Sequence, residues 1–295
     1  MRLGNRVVRG LAAWALLATM GGAQAAAFVE VEAVQPPAWV ERGERRLPLA
    51  AGQRLHNRDR IVTGGDARVL LRLSEGSAVK LGADASLRLD ALGEREPGVF
   101  TAAFDVAKGA FRFTTGLFSR YQDRRAVNVR VATVTAGIRG TDLWGSSDAE
   151  RDLVCLIEGR ITVSHPDAEA VAMSEPMSFY VVPKGQAPQP VAAVDRRQLA
   201  QWALETELRQ AAPLFRKAGR WQVLADVAAG EGEALALYDR LRDAGYPVRI
   251  RPQPDGQGGY RYAVSVPQLA SRGDAEALAT RLRQELGLAA ARAGR

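Results

Sequence analysis

The chain is poor in the residues that build catalytic and metal centres. Among its 295 residues it has one cysteine and two histidines. The lone thiol, Cys155, cannot form a disulfide within the chain, and one cysteine with two histidines is a poor ligand set for zinc. Neither His56 nor His165 is accompanied in the sequence by the residues that a nucleophilic centre requires. We therefore predict no catalytic residue, no metal and no cofactor. Acidic residues that converge from distant strands are the open alternative.

Long basic runs are absent as well, although the formal net charge is +7 and the isoelectric point is about 10.0. No five consecutive residues are basic, and arginines alternate with acidic residues along the chain. This pattern indicates a solvated surface of mixed charge, with a mild preference for anionic polymers or membrane surfaces as the alternative. Nucleic acid is not an expected partner.

Only the N-terminal segment has a long apolar run. Three arginines precede an apolar stretch over residues 11–20, and small residues including Ala23-Gln24-Ala25 follow it. That order is typical of a secretory signal peptide, predicted here over residues 1–27 with cleavage after Ala25 or Ala27. The apolar core has about half the length that a bilayer span needs, so an uncleaved anchor is the alternative. We expect a periplasmic protein of a Gram-negative envelope, without a membrane span after cleavage.

Residues 28–194 have the pattern of short strands separated by turns. The segment Val127 to Val131 alternates strictly between apolar and polar residues, which predicts one buried and one exposed face. Turns are predicted at Lys108-Gly109 and at Glu158-Gly159, the latter as a hairpin between two apolar runs. The first of these runs contains Cys155, which we interpret as a small buried hydrophobic residue. The pattern favours an all-β sandwich or roll.

From Asp195 the pattern becomes helical. Asp195 is placed to cap a helix, and apolar residues are interspersed among charged ones as far as Lys217. A helical linker is therefore predicted over residues 195–218, with a kink or break at Pro213.

Residues 219–295 contain an internal repeat. The strand residues Trp221, Val223 and Ala225 recur as Tyr262, Val264 and Val266. Each repeat unit is a strand followed by an amphipathic helix, and a last strand is predicted at residues 288–291. The expected domain is a small α+β, ferredoxin- or RNP-like fold of order βαββαβ, with both helices on one side of its sheet.

The other side of that sheet is predicted to be open to solvent or to a ligand. Alternation along the first strand turns Gln222, Leu224 and Asp226 outward if its other residues face the helices. The same alternation turns three arginines outward, and arginines fork onto carboxylates and bond sugar oxygens. The predicted ligand-binding residues are Gln222, Leu224, Arg249, Arg251, Tyr260, Arg261 and Ser265. An ordinary solvated sheet face is the alternative interpretation.

Part of the β region resembles the FecR domain, over roughly residues 50–190. The similarity lies in Asp59-Arg60-Ile61-Val62-Thr63-Gly64, Glu75-Gly76-Ser77, Gly137-Ile138-Arg139-Gly140-Thr141 and Glu158-Gly159-Arg160-Ile161-Thr162-Val163. The structural-motif residues are Gly64, Gly76, Arg139, Gly140, Thr141 and Gly159, whose glycines are expected at turns or close approaches. The resemblance implies the periplasmic module of a sensor that contacts another envelope protein. No cytoplasmic signalling segment is expected before the apolar stretch.

The C-terminal region resembles the SPOR domain, over about residues 219–293. The similarity lies in Leu241-Arg242-Asp243-Ala244-Gly245-Tyr246 and in Ala270-Ser271-Arg272-Gly273-Asp274-Ala275. The resemblance implies binding to peptidoglycan glycan strands that lack stem peptides, which are enriched at the site of cell division. Two positions depart from the family pattern. Leu224 stands where the first strand usually has glutamine, and Pro267 stands where the second half usually has glycine.

Together these patterns predict a non-enzymatic protein of the cell envelope. Its C-terminal domain would bind glycan strands, and its β domain would contact an unidentified envelope protein. The alternative is a sensor or regulator of FecR type whose C-terminal domain mediates protein contacts. An enzyme is the third hypothesis, for which no motif stands out.

Overall fold

The computed structural model describes residues 27–96, 99–116, 125–138 and 140–295. The predicted signal peptide up to residue 26 and the motif residue Arg139 lie outside these ranges. The described chain is mostly β, as predicted, with twenty-two strands and three helices. None of the described helices is long and apolar enough to span a membrane.

The strands before the first helix are β1 (Val29–Gln35), β2 (Ala38–Arg42), β3 (Arg45–Pro48), β4 (Arg54–Leu55), β5 (Arg60–Thr63), β6 (Arg68–Leu73), β7 (Ala78–Leu81), β8 (Ser86–Glu96), β9 (Val99–Thr114), β10 (Arg125–Val131), β11 (Val134–Ile138), β12 (Asp142–Ser147), β13 (Arg151–Glu158), β14 (Ile161–His165), β15 (Ala168–Met173), β16 (Ser178–Pro183) and β17 (Ala192–Ala193). The later elements are α1 (Arg196–Leu204), β18 (Phe215–Arg216), β19 (Trp221–Ala228), α2 (Glu231–Asp243), β20 (Arg249–Pro254), β21 (Tyr260–Leu269), α3 (Arg272–Leu286) and β22 (Arg292–Gly294).

Strands β1 to β17 form two sheets around one apolar core. Sheet A has the order β17-β16-β13-β12-β9-β7-β6-β1, with β4 also beside β1. Sheet B has the order β3-β2-β5-β8-β9-β10-β11-β14-β15, in which only the β9–β10 pairing is parallel. In β10 the residues Val127, Val129 and Val131 are buried, and the residues between them are exposed, as the alternation predicts.

Strand β9 belongs to both sheets, which corrects the predicted turn at Lys108-Gly109. Its first part pairs with β8 and β10 in sheet B, and its last part pairs with β7 and β12 in sheet A. The strand bends at Gly109, where φ is +82° and a Cβ would lie 2.5 Å from the Cα of Ala85. Glycine permits this bend without ending the strand. The bend brings the rings of Phe104 and Phe113 to 6.3 Å between centroids.

The predicted hairpin at Glu158-Gly159 is wrong. Strand β13 pairs with β12 and β16 in sheet A, whereas β14 pairs with β11 and β15 in sheet B. The turn therefore carries the chain from one sheet to the other. Gly159 has a φ of +96°, and a Cβ there would lie 2.3 Å from the carbonyl oxygen of Gly140. Two apolar runs around a glycine are compatible with a hairpin and with a connection between two sheets. The packing of both runs in the core that the sheets share selects the second.

Thr141 holds the loop between β11 and β12 against its neighbours. Its backbone N–H donates to Oγ1 of Thr115 at 2.8 Å, and its hydroxyl donates to the carbonyl oxygen of Arg160 at 3.0 Å. Both bonds support the fold, because Thr141 is itself only 3% exposed. The glycines of the same motifs that lie between strands are Gly64, Gly76, Gly140 and Gly159.

The linker forms a strap, residues 195–214, across the outer side of sheet A, and only its first part is helical. The carboxylate of Asp195 accepts two N–H groups of the first turn of α1 at 2.8 and 2.9 Å, so this residue is the cap that the sequence predicts. The indole of Trp202 stacks on that of Trp144 in β12, with 5.0 Å between ring centroids. This contact fixes the helix on the sheet, and the helix ends at Leu204.

The predicted helical linker over residues 195–218 is therefore too long, and the reason lies in the β domain. The side-chain amide of Gln35 donates to the carbonyl oxygens of Arg209 and Ala212 at 2.7 and 3.2 Å, and it accepts the N–H of Arg209 at 2.8 Å. Glu207 pairs with Lys80 of β7 at 2.6 Å. These contacts replace helical hydrogen bonds, and they lead the chain to β1 at the edge of sheet A.

The C-terminal sheet has the order β22-β19-β21-β20, with α2 and α3 packed on one side. Strand β18 joins this sheet to sheet A, since it pairs with β1 at Val34 and with β21 at Leu269. The apolar core also continues from one domain into the other. At this junction a Cβ on Gly245 would lie 3.0 Å from the indole ring of Trp39. The C-terminal domain is thus packed against the β domain.

A bulge in β19 corrects the predicted orientation of Asp226. Leu224 pairs with Ser265 and Asp226 pairs with Val264, so Ala225 is an extra residue between them. Val264 is buried on the helix side, and Asp226 lies on that side beside α2. One extra residue reverses the alternation of a strand, and a strict two-residue period does not anticipate it.

Candidate ligand-binding face of the C-terminal domain

The side of the C-terminal sheet that carries no helix is termed the open face. Residues that pair across strands share a face, so the register places the side chains of the open face in rows. The rows are Arg292–Leu224–Ser265–Arg249, Val227–Ala263–Arg251 and Arg261–Gln253. The rows contain four arginines and no acidic residue.

The small residues Ala263 and Ser265 lie along β21 at the centre of the open face, between larger side chains on both neighbouring strands, and this strip is termed the trough. Its floor is formed by Ala263 and Ser265, which are 6% and 5% exposed because larger side chains flank them. The flanking residues are Leu224 and Val227 on β19 and the exposed Arg249 and Arg251 on β20. The trough is therefore apolar along one side and cationic along the other.

The arginines of this face differ in their electrostatic surroundings. Neither Arg249 nor Arg251 has a hydrogen bond or an ion pair with its side chain in the part of the chain that the structure describes. Arg261 lies near Asp255 in the turn between β20 and β21. Two backbone N–H groups of that turn donate to Asp255 and hold its pKa below the ordinary value, with a smaller contribution from Arg261. The two arginines beside the trough, Arg249 and Arg251, thus have no acidic partner among the described residues.

The predicted ligand-binding residues fall mostly on this face. Those on the open face are Gln222, Leu224, Arg249, Arg251, Arg261 and Ser265. Gln222 donates to the carbonyl oxygen of Arg295 at 3.1 Å. Tyr260 is 58% exposed, but it pairs with Pro254 and shares the helix side of β21 with Tyr262, so its placement on the open face is wrong. Regular alternation along β21 separates it from Arg261.

Arg292 belongs to the open face and is absent from the predicted residues. The sequence pattern places the last strand at residues 288–291, whereas the structure has β22 at Arg292–Gly294. A strand of three residues has no alternation to detect, and only its pairing with β19 reveals which side Arg292 occupies.

A second polar cluster lines a cleft of about 470 Å³ on the β domain. The buried carboxylate of Asp152 accepts hydrogen bonds from Lys184 at 2.5 Å and from Thr133 and Ser147 at 2.7 Å. Burial by itself raises the pKa of Asp152, but these three bonds outweigh it and leave the pKa below its ordinary value. Because the carboxylate is fully bonded, the cluster ties strands together rather than offering a reactive group.

The side chains of Cys155 and His165 are also buried within the fold. Cys155 is fully buried in the apolar cluster beneath Trp202, and burial raises the pKa of its thiol to about 12. His165 is buried, and its Nδ1 accepts the N–H of Asp167 at 3.2 Å. Across residues 27–96, 99–116, 125–138 and 140–295 no three metal-ligating side chains are grouped.

Two family models match the chain. Residues 59–162 match the model described as FecR protein, and residues 224–292 match the model described as SPOR domain. The chain therefore contains a FecR domain followed by a SPOR domain, as the motifs predict. Both families are associated with the cell envelope, and SPOR domains are of a peptidoglycan-binding type. Apart from Gln222, the whole open face lies within the SPOR match.

None of the curated proteins matches the chain. Two crystal structures of a protein from Parabacteroides distasonis, described as an anti-sigma factor, are similar to it at 12% and 13% sequence identity, each with a TM-score of 0.40. Each alignment covers 77% of this chain, and they cover 92% and 91% of the other chains.

Proposed function

We propose that the protein is a non-enzymatic component of the periplasm that binds peptidoglycan glycan strands through its SPOR domain. The observation that carries the proposal is the pair Arg249 and Arg251, exposed on a sheet face that no helix covers. Neither has an acidic partner within the described residues. A glycan strand is an extended polar ligand, and unpaired guanidinium groups along a trough provide donors for it.

In this proposal the FecR domain contacts another protein of the envelope. The strap and β18 hold the two domains together, so that a protein bound to the FecR domain would keep its position relative to the glycan strand. The peptidoglycan-binding domain would then localise the FecR domain, with enrichment at sites of cell division.

A second candidate function is regulation of FecR type, with the C-terminal domain as a site of protein contacts. The continuous core between the domains favours it, because a partner on one domain would influence the other through packed side chains. The two functions differ in the ligand of the open face, which is a glycan in the first and a protein in the second.

Export is the other part of the proposal. A signal peptide over residues 1–27, cleaved after Ala25 or Ala27, would deliver the protein to the periplasm without a membrane span. The intact mass of the protein recovered from the periplasm of an expressing cell tests this, and a mass that includes residues 1–25 would contradict it.

Co-sedimentation of the full chain with purified sacculi tests the glycan proposal. We expect the protein to pellet with sacculi from which a limited amidase treatment has removed part of the stem peptides, termed stripped sacculi, and to pellet less with intact sacculi. The remaining peptide cross-links keep the stripped sacculi insoluble. A sample without sacculi controls for aggregation. If the protein stayed in the supernatant with both preparations, glycan binding would be excluded and the regulatory function would gain support.

A further inference from the structure

We propose that the open face selects stripped glycan strands by their free carboxylates, with Arg249 and Arg251 as the residues that determine this specificity. The inference rests on the proposed function and adds the chemical group that is recognised. In peptidoglycan the lactyl carboxyl of muramic acid is joined to the stem peptide as an amide. Removal of the peptide therefore leaves a carboxylate on every second sugar of the strand.

The electrostatic setting favours an anion over a neutral sugar. Some exposed arginines of this protein meet carboxylates: Arg72 contacts Glu32 at 2.8 Å and Arg130 contacts Asp105 at 2.5 Å. The open face has no acidic residue in its rows. Unpaired cations on a surface raise the local concentration of anions, and each forms stronger hydrogen bonds to a carboxylate than to a hydroxyl.

The trough adds a surface on which a sugar ring can lie. Its floor of Ala263 and Ser265 has no bulky side chain, and Leu224 makes one wall apolar. Arg249 and Arg251 are two positions apart on one strand, a spacing of about 6.6 Å, so that both line the same side of the trough. A ring seated with its C–H face on the apolar wall would direct a carboxylate toward the arginines.

Recognition of a carboxylate by arginines also accounts for Leu224, which departs from the family pattern. Leu224 stands where SPOR sequences usually have glutamine, so the first strand has no polar side chain at that position for a sugar. Because Leu224 and Arg249 flank the same residue, Ser265, a charged donor on β20 lies across the trough from the altered position. Recognition would thereby depend on charge more than on neutral hydrogen bonds.

The experiment compares three polymers with the full chain. Sacculi stripped of part of their stem peptides by limited amidase treatment are divided, and one half is treated with a carbodiimide and methylamine to convert its carboxylates to neutral amides. Chitin is the third polymer, since it has the same β-1,4-linked N-acetylglucosamine backbone without a carboxylate. We expect binding to stripped sacculi, and binding about ten-fold weaker to the amidated sacculi and to chitin.

Paired variants assign the effect to the face. The double variant Arg249→Gln with Arg251→Gln should bind untreated stripped sacculi as weakly as the unchanged protein binds amidated ones. The matched control, Arg242→Gln with Arg272→Gln, removes the same charge from the two helices and should bind normally. All four residues are exposed or partly exposed, so both variants should fold, which thermal melts check.

Each outcome decides between the inference and the proposed function. Equal binding to amidated and untreated stripped sacculi would overturn the inference and leave the proposed function standing. No binding to either preparation would remove both. An equal loss in the helix control would also overturn the inference, because net charge and not this face would then be responsible. Independently of any variant, binding to untreated stripped sacculi should weaken with added salt, and binding that does not change would overturn it.

Discussion

Two exposed sheet faces of this protein carry arginines, and they differ in what lies opposite those arginines. On the outer side of sheet B, in the FecR domain, Arg88 and Arg130 both contact Asp105, at 3.1 and 2.5 Å. On the open face of the SPOR domain, Arg251 is paired across the strands with Ala263. The outer side of sheet B, with its rows of opposite charges, is termed the paired face.

In the proposed function, the difference separates arginines that are neutralised within the fold from arginines that stay available to a ligand. An exposed ion pair contributes only about 0–1 kcal/mol to stability, but it neutralises the field that an approaching anion would encounter. On the open face, no acidic residue in the rows neutralises the positive field of the arginines. Exposure alone therefore does not identify a binding arginine, and the residue across the strand decides its role.

The largest effect is expected at Asp152, a buried carboxylate that pairs with the partly exposed Lys184. Asp152→Asn should lower the free energy of unfolding by about 2–3 kcal/mol at neutral pH, because Lys184 loses its anion and the hydroxyls of Thr133 and Ser147 lose a charged acceptor. The folded pKa of Asp152 is lowered, so its stabilisation is full above the unfolded pKa of about 3.9 and is lost as the pH falls through the folded pKa. Urea denaturation at neutral and acid pH measures this.

The difference in the free energy of unfolding between Asp152→Asn and the unchanged protein should become smaller as the pH falls through the folded pKa of Asp152. A gap of equal size at both pH values would show that the loss comes from packing and not from the charge. Asp148→Asn, at an exposed acid in the neighbouring turn, is the control for a general effect of removing a carboxylate.

An acid placed in the trough should convert the open face into a paired face. Ala263→Asp puts a carboxylate directly across from Arg251, and we expect binding to stripped sacculi to fall about ten-fold. Ala263→Asn has nearly the same shape without the charge and should lose much less. Equal losses in the two variants, measured by co-sedimentation, would mean that the size of the new side chain is responsible.

The reverse change makes the paired face resemble the open face. Asp105→Asn leaves Arg130 without an ion pair, whereas Arg88 keeps Asp90 at 3.1 Å, and it should cost about 1 kcal/mol of stability, measured by urea denaturation. Binding to stripped sacculi should not increase, because a trough with an apolar wall is part of the proposed site. A gain in binding would show that unpaired arginines suffice wherever they lie.

The smallest effect is expected at Arg261, which already has an acid nearby. Arg261→Gln should weaken binding about three-fold, less than Arg251→Gln, because Asp255 partly neutralises this arginine. Binding curves for the two single variants compare them directly. A larger loss for Arg261→Gln would contradict the ranking of the arginines by their acidic neighbours.

Local patterns predicted those features that depend on residues close in sequence. Asp195 caps α1 because a cap needs only the N–H groups of the next turn. The alternation in β10 gives its buried and exposed residues, since a strand needs only a period of two. The same rule located Arg249 and Arg261 on the open face. Applied to Tyr260, it places that residue on the helix side of β21.

Features that depend on distant partners were not predictable in this way. Gly109 bends a strand and Gly159 connects two sheets, although both stand between short apolar runs in the sequence. The end of α1 depends on Gln35, which is far from it in the chain. The bulge at Ala225 depends on the register with β21.

The sequence by itself determined the β-rich class, the FecR and SPOR motifs and the presence of arginines on one side of a C-terminal sheet. Only the tertiary structure decided that Arg249 and Arg251 form no ion pair with the described residues whereas Arg130 forms one, and that Arg292 joins the same face. The physical reason is that alternation sets the side on which a residue lies, whereas strand register sets what lies beside it. Register is the outcome of packing between segments far apart in the chain, and no local pattern encodes it.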